Sequence, residues 1–117
     1  MRTAHILIAD DNLDLLFILS EVLRSAGYRV SEAGNREQAK TILHEGGVDL
    51  LITDSVIRGD DRNSLARNAD LPVIVMSGDP DHILQSENSP FPFLAKPFNR
   101  NDLLSFVTQV LGKTMKE

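Results

Sequence analysis

Ile6-Leu7-Ile8-Ala9-Asp10-Asp11-Asn12 is the segment from which the architecture follows. Its apolar run is short, partly β-branched and uninterrupted, so it reads as a strand buried on both faces that runs into a polar loop. Over residues 13–26 the period becomes helical. Leu15, Ile18, Leu19, Val22 and Ala26 are expected on the inward face, Asp11 or Asn12 as the cap, and Gly27 as the stop. The alternation then repeats. A strand is expected over 28–33. A helix follows over 36–45, with Ala39, Ile42 and Leu43 inward and Gly46-Gly47 at its end, and then a strand over 48–53. Residues 58–70 carry few apolar side chains, enough for a short helix only. A fourth strand is expected over 72–76 and a short helix over 79–87, broken by Ser89-Pro90-Phe91-Pro92. A fifth strand spans 93–95. The last helix is capped by Asn99 or Asn101 and turns Leu103, Val107, Val110 and Leu111 inward, with Leu104 and Phe106 beside them. Buried strands alternating with helices imply an α/β fold, a three-layer α/β/α sandwich around a five-stranded parallel sheet. Its third and fourth helices are shortened, and one domain covers residues 1–117.

Composition narrows the function. The 117 residues are 42% hydrophobic and 25% charged, an ordinary globular balance that excludes collagen, coiled coil and disorder. With no cysteine, disulfides, iron–sulfur clusters and thiolate zinc sites are excluded, and three scattered histidines, His5, His44 and His82, do not suggest a histidine metal cage. A net charge of −5 argues against nonspecific nucleic-acid binding. No apolar run approaches a membrane span, and the N-terminus enters a strand without a signal peptide's apolar stretch, so a cytoplasmic protein that engages neither membrane nor nucleic acid is expected.

Right-handed crossovers place every strand's C-terminal end on one edge of the sheet. That edge collects Asp10 and Asp11 after the first strand, Asp54 after the third, Ser77 after the fourth and Lys96 after the fifth. Singly, each has a bland explanation: a cap, a turn former or a solvated lysine. Together they set carboxylates, a hydroxyl and an ammonium around one small volume. Clustered carboxylates repel one another unless a cation intervenes, and oxygen ligands of this kind suit Mg²⁺ held together with phosphate oxygens. The group reads as a site for a metal and a phosphoryl group.

Four segments, Ile6-Leu7-Ile8-Ala9-Asp10-Asp11-Asn12, Leu50-Leu51-Ile52-Thr53-Asp54, Val73-Ile74-Val75-Met76-Ser77-Gly78 and Leu94-Ala95-Lys96-Pro97-Phe98, resemble in type and order those of response-regulator receiver domains of two-component signalling. The likeness covers nearly the whole chain. It implies strand order 2-1-3-4-5, that of the chemotaxis receiver. It implies Asp54 as phosphoacceptor from a histidine kinase or histidine phosphotransfer protein. Asp10, Asp11, Asp54 and the Val56 backbone carbonyl match the ligands of Mg²⁺, for which Mn²⁺ substitutes. Lys96 matches the lysine that pairs with the phosphoryl oxygens, and Ser77 with Phe93 the switch pair. A cis Lys96-Pro97 bond is implied as well. The reaction expected is self-phosphorylation with slow dephosphorylation and no other catalysis.

Some features depart from the family pattern. The segments from Asp54 to Ser77 and from Ser77 to Lys96 are short, Arg58 stands where a proline often follows, and Val56 offers no side-chain hydrogen bond to an attacking water, so slow hydrolysis is expected. Leu13 and Phe17, spaced i, i+4 off the main stripe, are expected to dock the phosphodonor's helical bundle. Only a tail follows the last helix, so a stand-alone phosphoacceptor, monomeric or weakly dimeric, with an unknown downstream protein target is expected. The competing readings are a degenerate receiver that binds partners without phosphorylation and an aspartyl phosphatase. The complete acidic, serine and lysine set argues against the first. The adjacency of Asp10 and Asp11, where such phosphatases space their aspartates two apart, argues against the second.

Overall fold

The computed structural model describes residues 3–54, 65, 69–77, 93–96 and 98–114. Among them lie β1 (His5–Ala9), α1 (Leu13–Ser25), β2 (Arg29–Ala33), α2 (Arg36–Glu45), β3 (Leu50–Asp54), β4 (Val73–Ser77), β5 (Phe93–Ala95) and α3 (Arg100–Thr114). Every strand pair is parallel, and the order is β2-β1-β3-β4-β5. The short helices expected between β3 and β4 and between β4 and β5 lie outside the described residues apart from Leu65, Ala69 and Asp70, as do Val56, Arg58, Pro97 and the Pro90-Phe91-Pro92 stretch.

Strand alternation sorts the side chains into two cores. Ile6, Ile8, Leu50, Ile52, Ile74, Met76 and Leu94 pack with Leu16, Leu19 and Leu23 of α1 and Leu103, Val107 and Leu111 of α3. Leu7, Ala9, Leu51, Val73 and Val75 pack on the opposite face with Ala39 of α2 and with Leu65. β1, β3 and β4 are covered on both sides, which is why they read as unbroken apolar runs. β2 is an edge strand, and its Arg29 and Glu32 face solvent.

The inward face of α1 differs from the expected stripe. Leu16, Leu19, Ser20 and Leu23 are buried, Leu15 and Val22 are half-buried, Ala26 is exposed, and Ile18 is 56% exposed. Apolar residues occupy nearly the whole circumference of this helix, so periodicity alone does not choose a face. Ser20 is admitted to the core because its hydroxyl donates to the Leu16 carbonyl at 2.8 Å. Gly27, at φ 98°, closes the helix: its N–H reaches Arg24 O and the Tyr28 N–H reaches Leu23 O, the paired bonds of a Schellman turn.

α2 begins with reciprocal capping. Asn35 Oδ1 accepts from the Gln38 N–H at 2.9 Å, and Gln38 Oε1 accepts from the Gly34 N–H at 2.7 Å. Asn35→Ala is expected to cost about 1 kcal/mol of stability in urea unfolding. At the far edge of the sheet, the His5 ring lies 2.7 Å from Ser31 Oγ and 3.3 Å from the Gly47 carbonyl, and the His5 N–H donates to the Asp49 carboxylate. These contacts tie β1, β2 and the approach to β3 together there, opposite the polar strand ends.

Candidate functional site

The alternation that directs Ile6 and Ile8 toward α1 and α3 continues to Asp10. The same parity carries Ile52 to Asp54 and Leu94 to Lys96. Pairing of Ala9 with Thr53 sets Asp10 and Asp54 on adjoining strand ends. Asp10 is held from two sides. Its N–H donates to Ala33 O at 3.0 Å, and its Oδ1 accepts from the Asn12 N–H at 2.9 Å. That tight turn hands the chain to α1, whose first turn Asn12 caps through the Leu15 N–H at 3.2 Å.

Asp10, Asp11 and Asp54 each present a carboxylate oxygen within 4.8 Å of the others. Asp10 is buried, Asp54 is mostly buried and Asp11 is exposed. Lys96 follows β5, where its N–H donates to Ser77 O at 2.7 Å. Its Nζ donates to Asp54 Oδ1 at 2.9 Å and lies 3.4 Å from Asp10 Oδ2. Ser77 ends β4 and is buried. One ammonium thus contacts two of the three clustered carboxylates.

The ionisation of the group reflects this crowding. Burial raises the Asp10 carboxyl above the ordinary aspartate range, and the nearby Asp54 charge adds to it; the Asn12 N–H and the Lys96 charge oppose without prevailing. Burial alone would lower Lys96, but the hydrogen bond and charge of Asp54, together with Asp10, hold it above the ordinary lysine range.

Of the strand-end residues named from the sequence, Asp10, Asp11, Asp54 and Lys96 therefore converge, and Ser77 meets Lys96 through its backbone carbonyl. Phe93 opens β5 opposite Val75, and the reading of its side chain as a switch lies outside the described residues, as do the Val56 ligand and the Lys96-Pro97 bond. Leu13 and Phe17 are exposed on the first turns of α1, directly after the acidic segment. Two participants were not singled out. Asn12 fixes the Asp10 carboxylate, a role signalled by an aspartate two residues before a cap. The buried Thr53 hydroxyl donates to Asp54 O at 3.1 Å, and nothing in an apolar strand pattern announces it.

A family profile described as response regulator receiver domain matches residues 6–108. The chain belongs to that family. This receiver domain is 32% identical over 121 residues to the DNA-binding transcriptional regulator NtrC of Bradyrhizobium sp., an alignment covering 97% of the chain and 25% of the relative. Among solved structures it is similar to a CheY-like response regulator receiver domain protein from Methanospirillum hungatei, with a TM-score of 0.87, 22% identity and 98% of both chains covered. It is also similar to the signal receiver domain of an HD domain-containing protein from Pseudomonas fluorescens, with a TM-score of 0.86, 27% identity, and 99% of this chain and 100% of that one covered. The chain spans between a quarter and about half the length of the curated relatives it matches.

Receiver domains bind Mg²⁺ through acidic residues, and the oxygen-only group Asp10, Asp11 and Asp54 fits that ion. When bound, Mg²⁺ supplies positive charge for phosphoryl oxygens. Without it, the buried Asp10 charge is a cost. The raised Asp10 pKa means that the metal-free fold gains stability as pH falls through that pKa and loses it as pH rises. Asp10→Asn keeps an acceptor for Asn12 and removes the charge. It is expected to stabilise the metal-free protein by on the order of 1 kcal/mol at neutral pH and to abolish the thermal shift produced by Mg²⁺. Both effects are read by unfolding with and without the ion.

Proposed function

We propose that this receiver domain accepts a phosphoryl group on Asp54 from a phosphohistidine of a histidine kinase or histidine phosphotransfer protein. The observation that carries the reading is the Lys96 Nζ donating to Asp54 at 2.9 Å within a cluster of acidic oxygens. An Asp54 carboxylate oxygen attacks phosphorus and forms the P–O bond of an acyl phosphate. The P–N bond to the donor imidazole breaks, and the imidazole leaves with its electron pair. Lys96 offsets charge gathering on the transferred oxygens. Asp10, Asp11 and Asp54 would hold Mg²⁺, or Mn²⁺ in its place; the Val56 carbonyl, the further ligand that the family resemblance implies, lies outside the described residues. The domain catalyses only its own phosphorylation and slow dephosphorylation.

The output is a population shift in which Ser77 turns toward the phosphoryl group and Phe93 takes the space released, altering the surface offered to a downstream protein. A cytoplasmic location suits this reading; among the described residues no helix is long and apolar enough to cross a membrane. Exposed Leu13 and Phe17, beside the acidic cluster, would seat the phosphodonor. The test is phosphotransfer from a panel of phosphorylated histidine kinases, with Asp54→Ala as the control. Transfer from at least one donor, slowed about tenfold or more by the Leu13→Ala/Phe17→Ala double variant, is expected. Stable binding of kinases with no transfer would instead favour the degenerate receiver.

A further inference from the structure

Among the described glycines, Gly27, Gly46 and Gly47 adopt positive φ, and a Cβ on any of them, or on Gly112, would meet nothing within 4 Å. Gly34 is the opposite case. Its φ is not positive, so the backbone does not demand glycine there. What residue 34 lacks is room: a Cβ would lie 3.3 Å from Leu13 Cδ2 and 3.4 Å from Gln38 Oε1. The crowding follows from the sheet. β1 and β2 run parallel with Ala9 opposite Ala33, and the Asp10 N–H donates to Ala33 O. The turns leaving the two strands therefore lie side by side at the reactive edge. One opens α1 at Leu13, the other opens α2 at Arg36. The second turn is fixed by Gln38 Oε1, which accepts from the Gly34 N–H at 2.7 Å. Leu13 is 67% exposed, yet its Cδ2 rests against this fixed turn.

We infer that Gly34 is a positioning residue for the phosphodonor: by leaving room for Leu13, it sets the orientation in which that side chain meets the donor. The inference rests on the reading of Leu13 as a docking residue. A long side chain open to solvent samples several rotamers, and ordering it opposes association. A turn that already holds Leu13 on one side removes part of that opposition before the donor arrives. A side chain at 34 would push Leu13 off this seat, slightly for alanine and further for valine. The two atoms nearest to such a side chain belong to Leu13 and Gln38, neither of which handles the phosphoryl group. The effect should therefore fall on donor binding and not on the chemical step.

Transfer rates from a phosphorylated histidine kinase, measured over a range of kinase concentrations, test the inference. Gly34→Val is expected to raise the concentration at half-maximal rate by roughly three- to tenfold, with the maximal rate little changed, the pattern of lost binding. Gly34→Ala should act in the same direction to a smaller degree. In a Leu13→Ala background, Gly34→Val should add nothing, because the side chain it displaces is gone. Carbon NMR shifts of the two Leu13 δ-methyls give a readout that needs no donor. They should be well separated in wild type, as for one dominant rotamer, and draw together in Gly34→Val. Averaged methyl shifts in wild type would overturn the inference. So would Gly34→Val binding the kinase as well as wild type while Leu13→Ala binds it worse, or a loss from Gly34→Val of equal size with and without Leu13. If Leu13→Ala itself changes nothing, the docking reading fails and the inference falls with it.

Discussion

Asp54→Ala, offered acetyl phosphate and magnesium, is expected to gain no phosphoryl group, whereas the unaltered chain gains one that is labile to alkali. Mass spectrometry of the intact protein reads the difference directly. The effect is all-or-none because the other carboxylates are poorly placed to replace this one. Asp10 is buried, with one oxygen engaged by the Asn12 N–H and the other 3.4 Å from Lys96. Asp11 is exposed and belongs to the turn that starts α1. The substitution should not unfold the protein. Asp54 is the last residue of its strand, and its removal lessens repulsion on Asp10 while Lys96 keeps one carboxylate. A stability change within about 1 kcal/mol is expected. Full phosphoryl uptake by the variant would place the acceptor elsewhere and end the reading of this site.

Lys96→Ala should leave an acceptor that works poorly. Removing a preorganised positive group from developing phosphoryl charge costs roughly 10²–10³-fold in rate, so uptake from acetyl phosphate should fall by that order while binding of Mg²⁺ persists. A second signature separates loss of charge from loss of fold. The Lys96 pKa is raised by its carboxylate partners, so its contribution to stability is fully present below the ordinary lysine range and disappears as pH climbs through the raised value. Wild type should therefore lose stability in urea more steeply than Lys96→Ala across that alkaline window. Parallel curves would mean that the Asp54 and Asp10 contacts contribute nothing to folding.

Much of this was readable in the chain. Apolar runs ending in Asp10, Asp54, Ser77 and Lys96 announced both the sheet and its reactive edge, because a doubly covered strand must be apolar until it emerges. The cap of the last helix was legible as Asn99 or Asn101, and Asn99 Oδ1 accepts from the Asp102 N–H at 2.8 Å; the Asn35 cap of α2 was not read from the sequence. The rotation of α1 was not readable. With Leu13, Leu15, Leu16, Phe17, Ile18, Leu19, Val22 and Leu23 all apolar, the buried face is chosen by packing against β1 and α3, and a self-bonded serine wins a core position over Ile18. The Lys96 contact to Asp10 was hidden for another reason: it joins residues 86 positions apart and depends on a distance only the folded sheet sets.

The parallel register described for β1 and β3 carries a consequence for how this sequence tolerates length variation. One residue added or deleted inside Leu50–Asp54 would reverse the parity of everything after it and aim the acceptor at the α2 layer. Two would restore the direction but overshoot the neighbouring strand end by roughly 6–7 Å. In a library of single-codon insertions, that strand should be among the least forgiving windows of the gene, and the Gly46-Gly47 approach to it, whose glycines adopt left-handed backbone on the surface, among the more forgiving.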